Sequence, residues 1–85
     1  MTDPRQHIIA LEILRVLDQC EGYMLKQEAL YHQSALSVSP VLLNSEFMGV
    51  LKFLDASGHA IGIRPELGPV KWKITDKGRA FLATA

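Results

Sequence analysis

The spacing of apolar positions changes along this chain, and each change predicts a new element. From Ile8 to Leu17 the apolar residues crowd together, as Ile8, Ile9, Leu11, Ile13, Leu14, Val16 and Leu17. Ile9, Ile13, Val16, Leu17 and Cys20 fall on one helical stripe. The spacing predicts a helix capped by Thr2 or Asp3, with Pro4 at its first position and Gly22 at its end. Ile8, Leu11 and Leu14 widen the stripe beyond one face. A helix apolar on more than one face usually buries more than one, so Ile8, Leu11 and Leu14 are expected at a homodimer interface.

Tyr23 and Met24 suit a very short extended segment, and Leu25 to about Ala35 reads as a second helix. Leu25, Ala29, Leu30 and Leu36 are its expected inward residues. "SVSP" interrupts it. A third helix follows, either capped by Ser39 with Pro40 just inside or starting later at Asn44. Leu43, Phe47, Val50, Leu51 and Leu54 form its one-sided stripe, and Gly58 suits a left-handed cap at its end.

From His59 the period becomes two. In "HAIGIR", Ile61 and Ile63 share one face, while Ala60, Gly62 and Arg64 share the other. "PELGP" is a turn. In "VKWKIT", Val70, Trp72 and Ile74 point one way and Lys71 and Lys73 the other. The two segments predict a β-hairpin that gathers Arg64, Lys71 and Lys73 on one outward face. Thr75 or Asp76 then caps a short last helix, with Phe81 and Leu82 packing back.

Two helices joined by a turn, followed directly by a hairpin, carry a resemblance. "LKFLDASGHAIGI" and "VKWKITDKGRAFL" resemble the winged helix-turn-helix superfamily: a recognition helix ending in leucine, acidic residues and glycine, a two-stranded wing, then an "(I/L)T-x-x-G" helix start. The likeness covers nearly the whole chain. "ILRVLDQCEGYMLKQEAL" is loosely similar to small winged-helix proteins of Mu-like prophages. The expected class is therefore α+β. The expected fold is one small winged helix-turn-helix domain over residues 1–85, with a three-helix core, a two-stranded wing and a short C-terminal helix. The resemblance implies binding of double-stranded DNA, often as a dimer, by a transcription regulator of bacterial or phage type. Winged helices also serve as protein-interaction modules, so fold alone does not choose between a DNA and a protein partner.

Charge changes this picture only locally. The chain is neutral overall, which argues against strong nonspecific polyanion binding. Residues 1–58 hold four Lys/Arg against seven Asp/Glu, a balance of −3, and residues 59–85 hold five against two, a balance of +3. If DNA is bound, the outward residues of the third helix are its readers. Asn44 can pair with an adenine edge, Ser45 with a base or phosphate and Lys52 with phosphate; Val41 and Met48 lie beside them. That helix has no arginine and carries Glu46, a departure from the usual regulator. Arg64, Lys71 and Lys73 on the wing suit phosphates or the minor groove. The alternative is that lysines on an exposed strand only deter edge-to-edge pairing.

Other chemistry finds no constellation. Trp72 alternates with lysines but shares its parity with Val70 and Ile74, so core packing is expected and base stacking is not. His7, His32 and His59 are scattered, no CxxC or HExxH spacing occurs, and no glycine-rich phosphate loop is present. No metal, cofactor or catalysis is expected. The single Cys20 lies between Asp18 and Glu21, a poor setting for a reactive thiolate. One cysteine, no membrane-length apolar run and no basic-then-apolar leader in "MTDPRQH" lead to an expected cytoplasmic setting.

Overall fold

Helix α1 spans Pro4–Gln19, as the apolar stripe predicts, and Asp3 caps it by accepting from the Arg5 amide at 2.9 Å. The computed structural model describes residues 3–20 and 23–84, so the expected stop at Gly22 and the alternative cap at Thr2 lie outside the described residues. The remaining elements are β1 (Leu25–Lys26), α2 (Gln27–Ala35), α3 (Asn44–Ala56), β2 (Ala60–Ile63), β3 (Lys71–Ile74) and α4 (Asp76–Ala83). This is the α+β class that the changing periods predict.

Helix α1 is the hub. It packs against α2, α3, α4 and β3, so its broad apolar surface is covered within the chain. Leu14 is fully buried beside Ile9, Ile13 and Leu17. It therefore does not belong to an outward dimer face; only Ile8, at 57% exposure, and the half-buried Leu11 remain there. Leu30, Phe47, Val50, Leu51, Leu54, Trp72 and Ile74 complete the core. Leu36, expected inward, is 86% exposed, because α2 ends at Ala35 and Leu36 caps it as the chain turns away. The buried inward position on the last turn of α2 is Ser34.

The sheet has three antiparallel strands in the order β1-β3-β2, not the two of an isolated hairpin. Lys26 is extended, so α2 begins only at Gln27, and Leu25 and Lys26 pair with Trp72 and Lys71. Strand β2 has the opposite parity to the expected one. Ala60 is buried, whereas Ile61 and Ile63 are 48% and 51% exposed. The cause is Trp72, whose inward indole lies over its cross-strand partner Gly62. A Cβ at Gly62 would come within 2.9 Å of the ring, so only small residues fit the inner face of β2.

Helix α3 takes the later start. The carbonyls of Ser39, Pro40 and Val41 accept from the Arg5 guanidinium at 3.2, 3.3 and 3.0 Å, and the Leu42 carbonyl accepts from the Tyr31 hydroxyl at 2.7 Å. Residues 39–42 are not helical, and these side chains satisfy their carbonyls where helical amides do not. Leu42 enters the core at 1% exposure, and Leu43, expected inward, is the extended N-cap residue at 57%. Glu46 joins both sides of this device. Its carboxylate pairs bidentately with Arg5 Nε and Nη2, at 2.7 and 3.0 Å, and also accepts from the Leu43 amide at 3.2 Å. These hydrogen bonds hold the Glu46 carboxyl down at about 2, from an ordinary 4.5.

At the other end of α3, Gly58 adopts φ 79°, the left-handed cap its position predicts. Thr75 then caps α4, accepting from the Gly78 amide at 3.0 Å and donating to the Gly58 carbonyl at 2.6 Å. Phe81 and Leu82 pack back on the core. Gly78 lies so close to β2 that a Cβ would collide with the His59 carbonyl oxygen.

Gly78→Ala must push α4 off the sheet and should lose about 1–3 kcal/mol. Gly49→Ala, mid-helix with nothing near its Cβ, should gain about 0.5–1 kcal/mol. Thermal melts of the two variants should therefore move in opposite directions. Acid should weaken the Arg5–Glu46 pair. Because its folded pKa is depressed, Glu46 adds stability that is full above pH 4.5 and is lost as pH falls toward about 2. In urea titrations the stability gap between the parent and Glu46→Gln should shrink through that window. A gap that stays constant would contradict the pairing.

Candidate functional site

The outward side of α3 carries most of the residues expected to act. Asn44, Ser45 and Lys52 are exposed, and Met48 is 38% exposed. Glu46 is turned sideways to Arg5 and is only 29% exposed, so its charge is neutralised within the fold. The acidic residue that seemed foreign to a recognition helix is thus a structural group of the turn before it.

Beside this face runs a groove of about 230 Å³, lined by Gln27, Met48, Lys52, Asp55, Arg64 and Trp72 among others. Its wall is fixed by two hydrogen bonds through one amide. Trp72 Nε1 donates to Gln27 Oε1 at 2.9 Å, and Gln27 Nε2 donates to Met48 Sδ at 3.3 Å. Gln27 also ties α2 to the sheet, its backbone amide donating to the Val70 carbonyl at 3.0 Å. Helix α2, α3 and the hairpin therefore meet around the Gln27 side chain.

Arg64 does not join Lys71 and Lys73 as the hairpin pattern suggests. It follows the parity of Ala60 and Gly62 and lines the groove with Lys52, on the α3 side of the sheet. Lys71 and Lys73 lie on the outer face, where Lys71 pairs across from Lys26 and Ile63, and Lys73 from Ile61. The cations thus form two groups: Lys52 with Arg64 beside α3, and Lys26, Lys71 and Lys73 on the far side. Among the described residues none of these five forms an ion pair within 4 Å. Strand β3 is the central strand, so its lysines do not protect an edge.

Arg5, Gln27 and Lys26 are absent from the sequence-based expectations. Glu46 offered the one usable signal for Arg5: a glutamate at the third position of a helix can reach back to the N-cap amide and attract a cation. Gln27 and Lys26 depend on the register of a two-residue strand, which no local pattern specifies. Other polar groups make contacts within the fold. Arg79 bridges Asp18 on α1 and Asp76 on α4, at 3.2 and 3.3 Å. His59 sits against Phe81 with Nδ1 3.0 Å from Ser57 Oγ, and burial, then Lys77, lowers its pKa. Cys20 is half-buried, its Sγ 3.5 Å from the Val16 carbonyl. Among the described residues no helix is long and apolar enough to cross a membrane.

No protein-family profile matches the sequence, and no curated protein matches it. The fold is similar to that of a solved structure. The chain superposes on the crystal structure of a "putative transcriptional regulator" from Thermoplasma acidophilum with a TM-score of 0.73, at 21% sequence identity. The match covers 93% of this chain and 75% of the other. At that identity the likeness is one of fold: four helices and a three-stranded antiparallel sheet in a small α+β domain.

Proposed function

We propose that this chain is a winged-helix domain that binds double-stranded DNA through α3, as a transcription regulator of bacterial or phage type. The reading rests on one observation above the rest: Arg64 of the hairpin and Lys52 of α3 flank one groove, so helix and hairpin present a continuous surface. Asn44 and Ser45 at the exposed start of α3 reach base edges, with Met48 beside them. Lys52 and Arg64 hold the phosphates on either side. Glu46 offers no obstacle, because Arg5 already neutralises it. Likeness of fold to a regulator adds support and does not itself assign the activity.

A second reading has its own observation. Leu36, Val41 and Leu43, at 86%, 78% and 57% exposure, surround the turn that leads into α3. Apolar residues in that number suit a protein partner better than a phosphate backbone.

Duplex binding measured against salt separates the two. For the DNA reading, log affinity should fall linearly with log salt, by about 0.9 per phosphate neutralised. Lys52→Glu with Arg64→Glu should remove about two phosphate contacts from that slope. Lys73→Glu, on the outer face of the sheet, should leave it nearly unchanged. Absence of binding to a broad duplex pool at low salt would reject this reading in favour of a protein partner. A slope that depends on Lys73 as strongly as on Lys52 would move the interface to the other face.

A further inference from the structure

We infer that the free edge of β2 pairs with β2 of a second copy, joining two sheets into one across a two-fold axis. The orientation of the backbone comes first. The Thr75 amide donates to the His59 carbonyl at 3.2 Å, which makes His59 and Thr75 a hydrogen-bonded pair. In an antiparallel ladder such pairs alternate, so Ile61 and Ile63 bond to β3 while Ala60 and Gly62 turn their amides and carbonyls outward. Strand β2 is the last of the sheet, and no backbone or side-chain partner for these outward groups occurs among the described residues.

Edges of this kind are normally blunted by charge, proline or a bulge. Here Ala60–Ile63 contains no charge and no proline, and its four residues pair with Lys71–Ile74 without a bulge. The charges lie instead on the central strand, at Lys71 and Lys73, while the edge carries the half-exposed Ile61 and Ile63. That is the reverse of a solvated sheet, and it suits an edge that becomes central.

A second copy fits this edge because the strand complements itself. With Gly62 on the two-fold axis, each Ile61 faces the partner's Ile63 in a non-hydrogen-bonded pair, where side chains approach most closely. Arg64 then faces the partner's Ala60, so no like charges oppose one another. The lysines of each β3 lie one strand further out. A strand-to-strand contact of this length falls at the small end of specific interfaces, so the dimer should depend on concentration. It replaces the α1 face, which loses Leu14 to the core.

Sedimentation velocity from about 10 μM to about 1 mM tests the inference without DNA. The sedimentation coefficient should rise with concentration toward that of a dimer. Ile61→Lys with Ile63→Lys should stay monomeric with an unchanged circular dichroism spectrum, since both side chains lie outside the core. Register is read by mixing single-cysteine variants in a Cys20→Ser background. Under oxidation, Ile61→Cys mixed with Ile63→Cys should cross-link several-fold more than either variant alone, because the paired Cα atoms lie about 4.5 Å apart. A single monomeric species at every concentration would overturn the proposal. So would self-association that persists in the double lysine variant, or cross-linking no greater in the mixture.

Discussion

The Arg5 guanidinium holds the turn between α2 and α3, and the placement of α3 depends on it. Three successive carbonyls, Ser39 to Val41, accept its hydrogen bonds, and the Glu46 carboxylate closes the fork from the other side. Tyr31 takes the next carbonyl, that of Leu42, and packs edge-on against Phe47. One cation and one phenol thus satisfy a run of backbone acceptors that would otherwise need water or a helix. The result is a short turn rather than a longer helix. Leu42 drops into the core, Leu43 caps α3, and Asn44 and Ser45 become the exposed first residues of the helix. Because Arg5 stands at the start of α1, the same contact fixes α3 to the hub of the fold.

Trp72 sets the second constraint. Its indole occupies the space over Gly62 and donates to Gln27, which in turn reaches Met48. That sequence of contacts fixes the parity of β2. Ile61 and Ile63 are turned outward and Arg64 is carried to the α3 side. The distribution of charge follows from it: one cationic pair beside the outward helix face, and one lysine row on the outer sheet. The tryptophan thus determines which cations lie beside α3.

Where one periodic pattern governs an element, the sequence is informative. The stripe of α1, the run from Phe47 to Leu54, the Gly58 cap and the inward set of β3 all depend on local spacing and appear as expected. The differences arise where a distant residue overrides the pattern. Leu14 pointed to a dimer face because the width of the stripe says that α1 is buried on more than one side, but not that the covering elements belong to the same chain. Leu43 looked inward because it falls on the stripe of Phe47 and Leu51, whereas the carbonyls it follows are held by Arg5, 34 to 36 positions away from them. Ile61 and Ile63 looked inward because isoleucine is apolar, whereas the space belongs to Trp72 across the hairpin. The candidate surface inherits these differences: the outward placement of Asn44, Ser45, Met48 and Lys52 on α3 was legible, and the division of Arg64 from Lys71 and Lys73 was not.

Whether Arg5 sets the start and position of α3 is read from amide hydrogen exchange of Arg5→Lys. Lysine keeps the charge but cannot fork onto Glu46 and three carbonyls together. Exchange should be faster only at the amides of Leu43 and the first turn of α3, with Phe47 the most telling because it reports the Leu43 carbonyl bond. The centre of α1 should keep its protection. Unchanged exchange at Leu43 and Phe47, or an equal loss across all helices, would contradict this role of Arg5.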